Sequence, residues 1–305
     1  ITIDAPDLER HWTLAEAPDH PLSELVVNVL AHLGVVAIPD LLIALASTIP
    51  IAGGMGSGAA VATALVRALS MHLGQNLPAE TVSTLVYASE QRFHGTPSGV
   101  DNTVIAYEQP IWFARQGPSP VVSSQLQEAS TSVPDMGSYQ PRTTDDGQRT
   151  HVTIEPIRIA APCLLLIGDT GVRSPTRLPV GEVRRRWQAH PARYEALFDA
   201  VGALAVRARA ALATGDYAAL GALLDENHAL LAQLGVSSAE LDRLVDAARA
   251  TGALGAKLSG AGWGGVMIAL VAPAASERVA QALRDAGAIR VLETTVARHA
   301  VDPSQ

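Results

Sequence analysis

The sequence predicts an α+β fold of two lobes, on three observations. A glycine-rich run leads straight into an apolar helix, three Ala/Leu-rich amphipathic stretches crowd the second half, and the chain closes in a strand, helix, strand order of ferredoxin-like type. With 305 residues, 48% of them hydrophobic, the chain can bury a substantial core. Residues 117–150 are rich in Ser, Thr, Pro, Gln, Asp and Gly and lack a hydrophobic period, so they read as an irregular connection. They set the expected division into an N-terminal lobe over 1–150 and a C-terminal lobe over 151–305.

The opening residues 1–7 read as a strand. Residues 21–33 carry apolar side chains at helical spacing (Leu22, Leu25, Val26, Val29, Leu30, Leu33) and stop at Gly34, a residue suited to the left-handed position after a helix. A short apolar strand over 41–46 feeds the glycine-rich run. Helices over 57–73 and 79–93 follow, the second bounded by Pro78 before it and by His94, Gly95, Thr96 and Pro97 after it. Strands are expected at 103–107 and 111–114 and, beyond the connection, at 152–159 and 163–167. Helices over 191–213, 217–234 and 239–251 have alanine-rich faces that permit close packing. Strands at 255–258 and 265–271, a helix over 274–286 and a strand over 289–296 complete the chain.

The formal net charge of −8 argues against a nucleic-acid-binding surface, and the run Arg184, Arg185, Arg186 reads as a solvated helix face. The one cysteine, Cys163, sits in an apolar strand-like run and reads as a buried small hydrophobe. Neither an intrachain disulfide nor a cysteine-based metal site can form from it. No apolar stretch of spanning length and no N-terminal signal are visible, so no membrane partner is expected and the expected location is the cytoplasm. Residue 1 is Ile, within a strand-like run, and an upstream continuation of the polypeptide is expected.

The run Pro50, Ile51, Ala52, Gly53, Gly54, Met55, Gly56, Ser57, Gly58, Ala59, Ala60 is the most informative segment. Its glycines allow φ > 0, so consecutive N–H groups can turn toward one point, and the helix behind them adds unpaired donors and about half a positive charge. Such an anion cradle suits a phosphate chain. A Walker A loop is excluded because no Lys follows the glycines. The dinucleotide pattern Gly54-x-Gly56-x-x-Ala59 lacks a second strand ending in an acidic residue. A purely structural turn ahead of a helix is the alternative.

Residues 90–102 concentrate two carboxylates, an imidazole and two hydroxyls around glycines and a proline. Glu90 near a helix end and Asp101 beyond a tight turn can converge on one pocket, one holding a divalent cation and the other accepting a proton from an alcohol. The plain structural roles are an exposed helix residue for Glu90, a helix cap for His94 and a turn or N-cap residue for Asp101. A second glycine-rich loop, over 253–265, joins a helix to a strand. Ordering so many glycines costs entropy, which points to a close backbone approach; a glycine-rich hairpin is the alternative.

These three stretches, in this order, resemble the GHMP kinase superfamily. Residues 50–60 are similar to its central motif, Pro-x-x-x-Gly-Leu-Gly-Ser-Ser-Ala-Ala, and residues 257–265 to its C-terminal glycine motif. Residues 94–102, with Gly168, Asp169, Thr170 and Gly171, are similar to the mevalonate kinase branch. The resemblance implies an N-terminal lobe of ribosomal-protein-S5-like type and a ferredoxin-like C-terminal lobe with added helices. It also implies ATP and mevalonate as substrates, Mg²⁺ as cofactor, and phosphorylation of the 5-hydroxyl of (R)-mevalonate in isoprenoid precursor synthesis. Asp101 is implied as the catalytic base and Glu90 and Ser57 as metal ligands. N–H groups of Gly53, Gly54, Met55, Gly56, Ser57, Gly58 and Ala59 would bind the phosphates. Gly260, Ala261, Gly262 and Gly264 would support that loop, and Thr96, Ser98 and Thr176 would shape the acceptor pocket. For Ser98, a hydroxyl bonding its own turn is the equal alternative. A homodimer is compatible with the resemblance.

The chain departs from the family in three places. Gly58 stands where a second serine gives its hydroxyl to Mg²⁺, leaving that task to Ser57 or a water. Trp263 stands where glycine is usual, which is expected to put a bulky ring in or beside the nucleotide loop. The family's first motif, Pro-Gly-Lys followed by Gly-Glu-His, does not occur before residue 49. Two alternatives stay open: a kinase of another small alcohol, such as phosphomevalonate or a sugar, using Arg92, Arg173 or Arg177, and a non-catalytic nucleotide-binding member.

Overall fold

In the computed structural model the chain is described over residues 1–49, 54–94, 97–116, 142–143 and 149–297. Strand β1 (Thr2–Ala5) pairs antiparallel with β2 (Arg10–Thr13), and helix α1 (Pro21–His32) follows. The helix begins with Pro21 at a position where no N–H is needed, and Leu22 N donates to the His20 ring. It ends at Gly34, in the left-handed region with φ 70°. Strand β3 (Leu42–Ala44) pairs parallel with β1, giving a sheet of order β2-β1-β3. Helices α2 (Ser57–His72), α3 (Ala79–His94) and α4 (Val100–Tyr107) complete this half. Ile3, Leu25, Val26, Val29, Leu65, Val66, Val82 and Val86 form its core, closed to solvent.

Residues 103–107, expected as a strand, are the second half of helix α4. Gly99, at φ 85°, turns the chain into the helix. Asn102, Thr103 and Ala106 then form one buried face against α3. There Asn102 Nδ2 donates to the carbonyl and hydroxyl of Ser83 (3.0 and 2.9 Å), and Thr103 Oγ1 lies 3.3 Å from Ser83 Oγ. This fit outweighs the β preference of Thr103, Val104 and Ile105, because propensity is a weak prior against tertiary contacts.

Strand β4 (Ile111–Gln116) pairs antiparallel with β6 (Arg149–Pro156), which also pairs with β5 (Arg142–Thr143). Most of the connection expected over 117–150 lies outside the described residues. The remaining elements are β7 (Cys163–Asp169), α5 (Arg177–Ala189), α6 (Pro191–Thr214), α7 (Tyr217–Leu234), α8 (Ala239–Ala250), β8 (Gly255–Ser259), β9 (Val266–Val271), α9 (Ser276–Asp285) and β10 (Arg290–Val296). The four strands form an antiparallel sheet of order β10-β7-β9-β8. Read by order along the chain this is 4-1-3-2, the ferredoxin-like arrangement, with α5, α6 and α7 as additions before the first crossover helix.

One face of the sheet, with Leu166, Ala256, Leu258, Met267 and Ala269, packs on α8 and α9. The other, with Cys163 and Leu270, packs on α6 and α7. Covering both faces explains why β7 and β9 read as continuous apolar runs. Cys163 is buried as expected, and burial pushes its thiol up. Helix α5 and strand β2 were not expected; α5 fully buries only Pro179 among its residues. Arg185 and Arg186 on α5 both bond Glu182, in keeping with a solvated face. Among the described residues no helix is long and apolar enough to cross a membrane.

Candidate active site

Helix α2 opens at Gly56, which is left-handed (φ 68°) and offers no side-chain cap; Gly54 is left-handed too (φ 74°). A bond runs from Ala60 N to Gly56 O (2.9 Å), and among the described residues the N–H groups of Gly58 and Ala59 donate to no carbonyl four residues back. They sit at the positive end of a 16-residue helix. Gly54 and Gly58 are exposed, Met55 and Ser57 are half-buried, and the Ala59 side chain is part of the core. Donors therefore face outward from a helix whose first turn is anchored from behind.

Two carboxylates flank this turn. A Cβ placed on Gly58 would lie 3.2 Å from Glu90 Oε1, and one placed on Gly56 would lie 3.5 Å from Asp101 Cγ. Glu90, near the end of α3, is only 6% exposed, which sets aside the reading of an ordinary surface residue. Asp101 is exposed in the first turn of α4, and the buried contacts of Asn102 with Ser83 hold that turn on α3. Side chains from two helices thus converge on two glycines of a third element.

Negative charge beside an anion cradle repels a phosphate chain unless a cation lies between them. Among the described residues no group of three or more His, Cys, Asp or Glu could hold a metal. A cation at Glu90 would therefore take its other ligands from phosphate oxygens and water, as Mg²⁺ commonly does. The donor set fits such an ion.

Of the residues expected to shape the acceptor pocket, Ser98 is exposed, and its hydroxyl accepts from Val100 N (3.3 Å), which is the turn role given as its alternative. Thr176 is exposed at the start of α5 and makes no side-chain cap there. Gly53 and Thr96 lie outside the described residues, as do the side chains of Arg92 and His94.

The second glycine loop touches the first. A Cβ on Gly260 would lie 3.2 Å from Gly54 O, and one on Gly54 would lie 3.8 Å from Ser259 O. From there the loop is fastened to its own lobe. Gly262 is packed against Val236 O and Gly264 against Val172 O, and Ala261 is half-buried between them. Gly265 O accepts from both Thr170 N (2.9 Å) and Thr170 Oγ1 (2.7 Å). Asp169 is buried and clasps Arg173 through two bonds of 2.7 and 2.9 Å. Burial works to raise the Asp169 carboxyl, but Arg173 and the Gly171 N–H outweigh it and hold the carboxyl below its usual range. The Arg173 guanidinium is thereby committed to Asp169.

Trp263, in the second glycine loop, is held toward the end of α7. Its backbone takes the left-handed conformation ordinarily left to glycine (φ 56°). Its indole N–H donates to Gly235 O (2.8 Å), at the end of α7, so the ring is tethered to that helix. Lys257, on β8, is half-buried and donates to Leu258 O (2.7 Å); burial pulls its ammonium down to about 8. His228 on α7, which no sequence signal singled out, accepts from Leu258 N (3.2 Å) at the strand leading into this loop.

Known proteins share this architecture. The family profile of the GHMP kinases N terminal domain matches residues 22–109, and that of GHMP kinases C terminal matches residues 208–289. The mevalonate kinase of Aeropyrum pernix is 32% identical over 286 residues, covering 91% of this chain and 78% of that protein. The mevalonate kinase of Pyrococcus furiosus is 32% identical over 250 residues, covering 80% and 64% respectively, so the chain spans just under two thirds of that relative's length. A crystal structure of L. major mevalonate kinase in complex with R-mevalonate is 28% identical with a TM-score of 0.72, covering 97% of this chain and 82% of that one. On its two glycine loops, its ferredoxin-like sheet and these matches, the chain belongs to the GHMP kinases.

Proposed function

We propose that the protein transfers the γ-phosphoryl group of ATP to the 5-hydroxyl of (R)-mevalonate, forming 5-phosphomevalonate and ADP. The observation that carries this reading is the approach of Glu90 to Gly58 and of Asp101 to Gly56 at the head of α2. Likeness to mevalonate kinases over most of the chain supports mevalonate as the acceptor.

N–H groups from Gly54 to Ala59, with Gly53, bind the β and γ phosphates. Glu90, with the Ser57 hydroxyl or a water, would hold Mg²⁺, which would supply positive charge to the phosphates. Asp101 accepts the proton as the 5-hydroxyl oxygen attacks the γ phosphorus in line, and the bond from that phosphorus to the bridging oxygen breaks to release ADP. Thr96, Ser98 and Thr176 would shape the acceptor pocket. Gly260, Ala261, Gly262 and Gly264 back the phosphate loop from the second lobe. Lobes over 1–150 and 151–305, and a cytoplasmic location, fit this reading.

The protein is expected to phosphorylate mevalonate with Mg·ATP. Asp101→Asn is expected to lower kcat by about 10²-fold or more with little change in Tm, since Asp101 is exposed. An Asn variant as fast as the parent would remove Asp101 from its role. Gly58, which lacks the hydroxyl implied for the metal, favours a second reading: a nucleotide-binding member without catalysis. Thermal shift separates the two, because the kinase is stabilised by Mg·ATP and by mevalonate, and the non-catalytic protein by nucleotide alone.

A further inference from the structure

Among the described residues β8 pairs with β9 on one side only, and its outer edge is met by side chains. Asp225 Oδ1 accepts from Ala256 N (2.8 Å), Arg249 donates to Ala256 O (2.9 Å), and His228 Nδ1 accepts from Leu258 N (3.2 Å). Gly221, Asp225 and His228 stand one turn apart along α7. Gly221 lets the helix approach so closely that a Cβ there would lie 2.1 Å from Leu254 O. Past the helix end, Gly235 O and Val236 O accept from the Trp263 indole and backbone N–H groups, each at 2.8 Å. Helix α7 therefore fastens the chain on both sides of residues 259–262, the stretch that meets Gly54.

His228 is the last fastening before that stretch. It is 6% exposed and both ring nitrogens are used, with Nε2 lying 3.1 Å from Asp242 Oδ1. A peptide N–H can only donate, so Nδ1 is the acceptor and the ring proton sits on Nε2, directed at Asp242. Ser237 Oγ also donates to Asp242 Oδ1 (2.5 Å), which fixes the carboxylate that orients the ring. Beyond Leu258, Ser259 is still paired with Val266 of β9, and the chain then enters glycines at φ 88° and 91°, with little stiffness of their own to keep Gly260 in place.

We propose that His228 is a positioning residue for nucleotide binding: its Nδ1 pins Leu258 N–H so that Ser259 and Gly260 stand against Gly54 of the phosphate loop. This rests on the reading of residues 54–59 as the triphosphate site. His228→Asn places a carbonyl oxygen near the position of Nδ1 and keeps the acceptor for Leu258, while the contact with Asp242 is lost. His228→Gln keeps reach toward Asp242 and removes the acceptor at Leu258.

Amide hydrogen exchange over residues 258–264, together with KM for Mg·ATP and for mevalonate, tests the pin. The Gln variant is expected to exchange faster there and to raise KM for Mg·ATP about tenfold, leaving KM for mevalonate within about twofold. The Asn variant is expected to stay near the parent in all three. Unchanged exchange in the Gln variant, or faster exchange with an unchanged KM for Mg·ATP, overturns the proposal. So does an equal loss in both variants that follows their Tm, since that marks a merely structural histidine. A parent protein that fails to bind Mg·ATP while His228→Gln still loosens 258–264 refutes the triphosphate-site reading, and the positioning role falls with it.

Discussion

The two glycine-rich loops are alike in composition and opposite in the reason for it. At the head of α2, a Cβ on Gly56 or Gly58 would meet side-chain atoms of Ile105, Asp101 and Glu90 at 3.2–3.6 Å. Between β8 and β9, a Cβ on Gly262 would lie 2.0 Å from Val236 O and one on Gly264 2.7 Å from Val172 O. The first loop keeps space between carboxylates and donors; the second is pressed backbone to backbone in the interior of its lobe. Side chains can yield by a few tenths of an ångström, whereas a carbonyl in a packed loop cannot. Glycine thus leaves room beside two carboxylates in one loop and beside packed carbonyls in the other.

The largest expected effect is on folding. Gly262→Ala combines a collision with Val236 O and a backbone at φ 91°, and is expected to cost about 3 kcal/mol or more in urea unfolding. Near-parental stability would erase the distinction between the loops. A smaller effect lies on the strand that feeds the second loop. With its folded value near 8 and an ordinary value of 10.5, Lys257 binds its proton less tightly in the native state. The penalty is fully present below pH 8 and fades as pH rises toward 10.5. Lys257→Met is accordingly expected to stabilise the protein by about 1–2 kcal/mol at neutral pH, with the gain shrinking in unfolding curves taken near pH 10.

The smallest stability change is expected in the first loop. Gly58→Ser, exposed and in the first helical turn, should shift stability by less than about 1 kcal/mol. Its hydroxyl would stand beside Glu90, so the Mg²⁺ concentration for half-maximal activity should fall a few-fold. A Tm loss as large as that of Gly262→Ala would show that both loops are structural.

Much of the architecture was legible because its signals are local. Helix α7 could be bounded to the residue, with Asp216 accepting from Ala219 N at its start and left-handed Gly235 at its end. Glycines and carboxylates of the candidate site stood out in the sequence because the chemistry proposed for them demands those residue types. Helix α4 could not, since its decisive contacts are polar: Asn102 and Thr103 reach Ser83 on another helix and leave no apolar period. The direction of Trp263 depends on Gly235, and the role of His228 on Leu258, each a partner about thirty residues distant in the chain. Local pattern reports what a segment prefers, while such pairings exist only once α7 lies along β8.

The side chains that line the outer edge of β8 also bear on solubility. A bare strand edge is a template on which another chain can add a strand. Asp225, Arg249 and His228 occupy the backbone groups that an incoming strand would use. Loosening α7 would expose that template as well as free the loop, so variants of this helix should lose solubility on heating sooner than their unfolding energies alone would suggest.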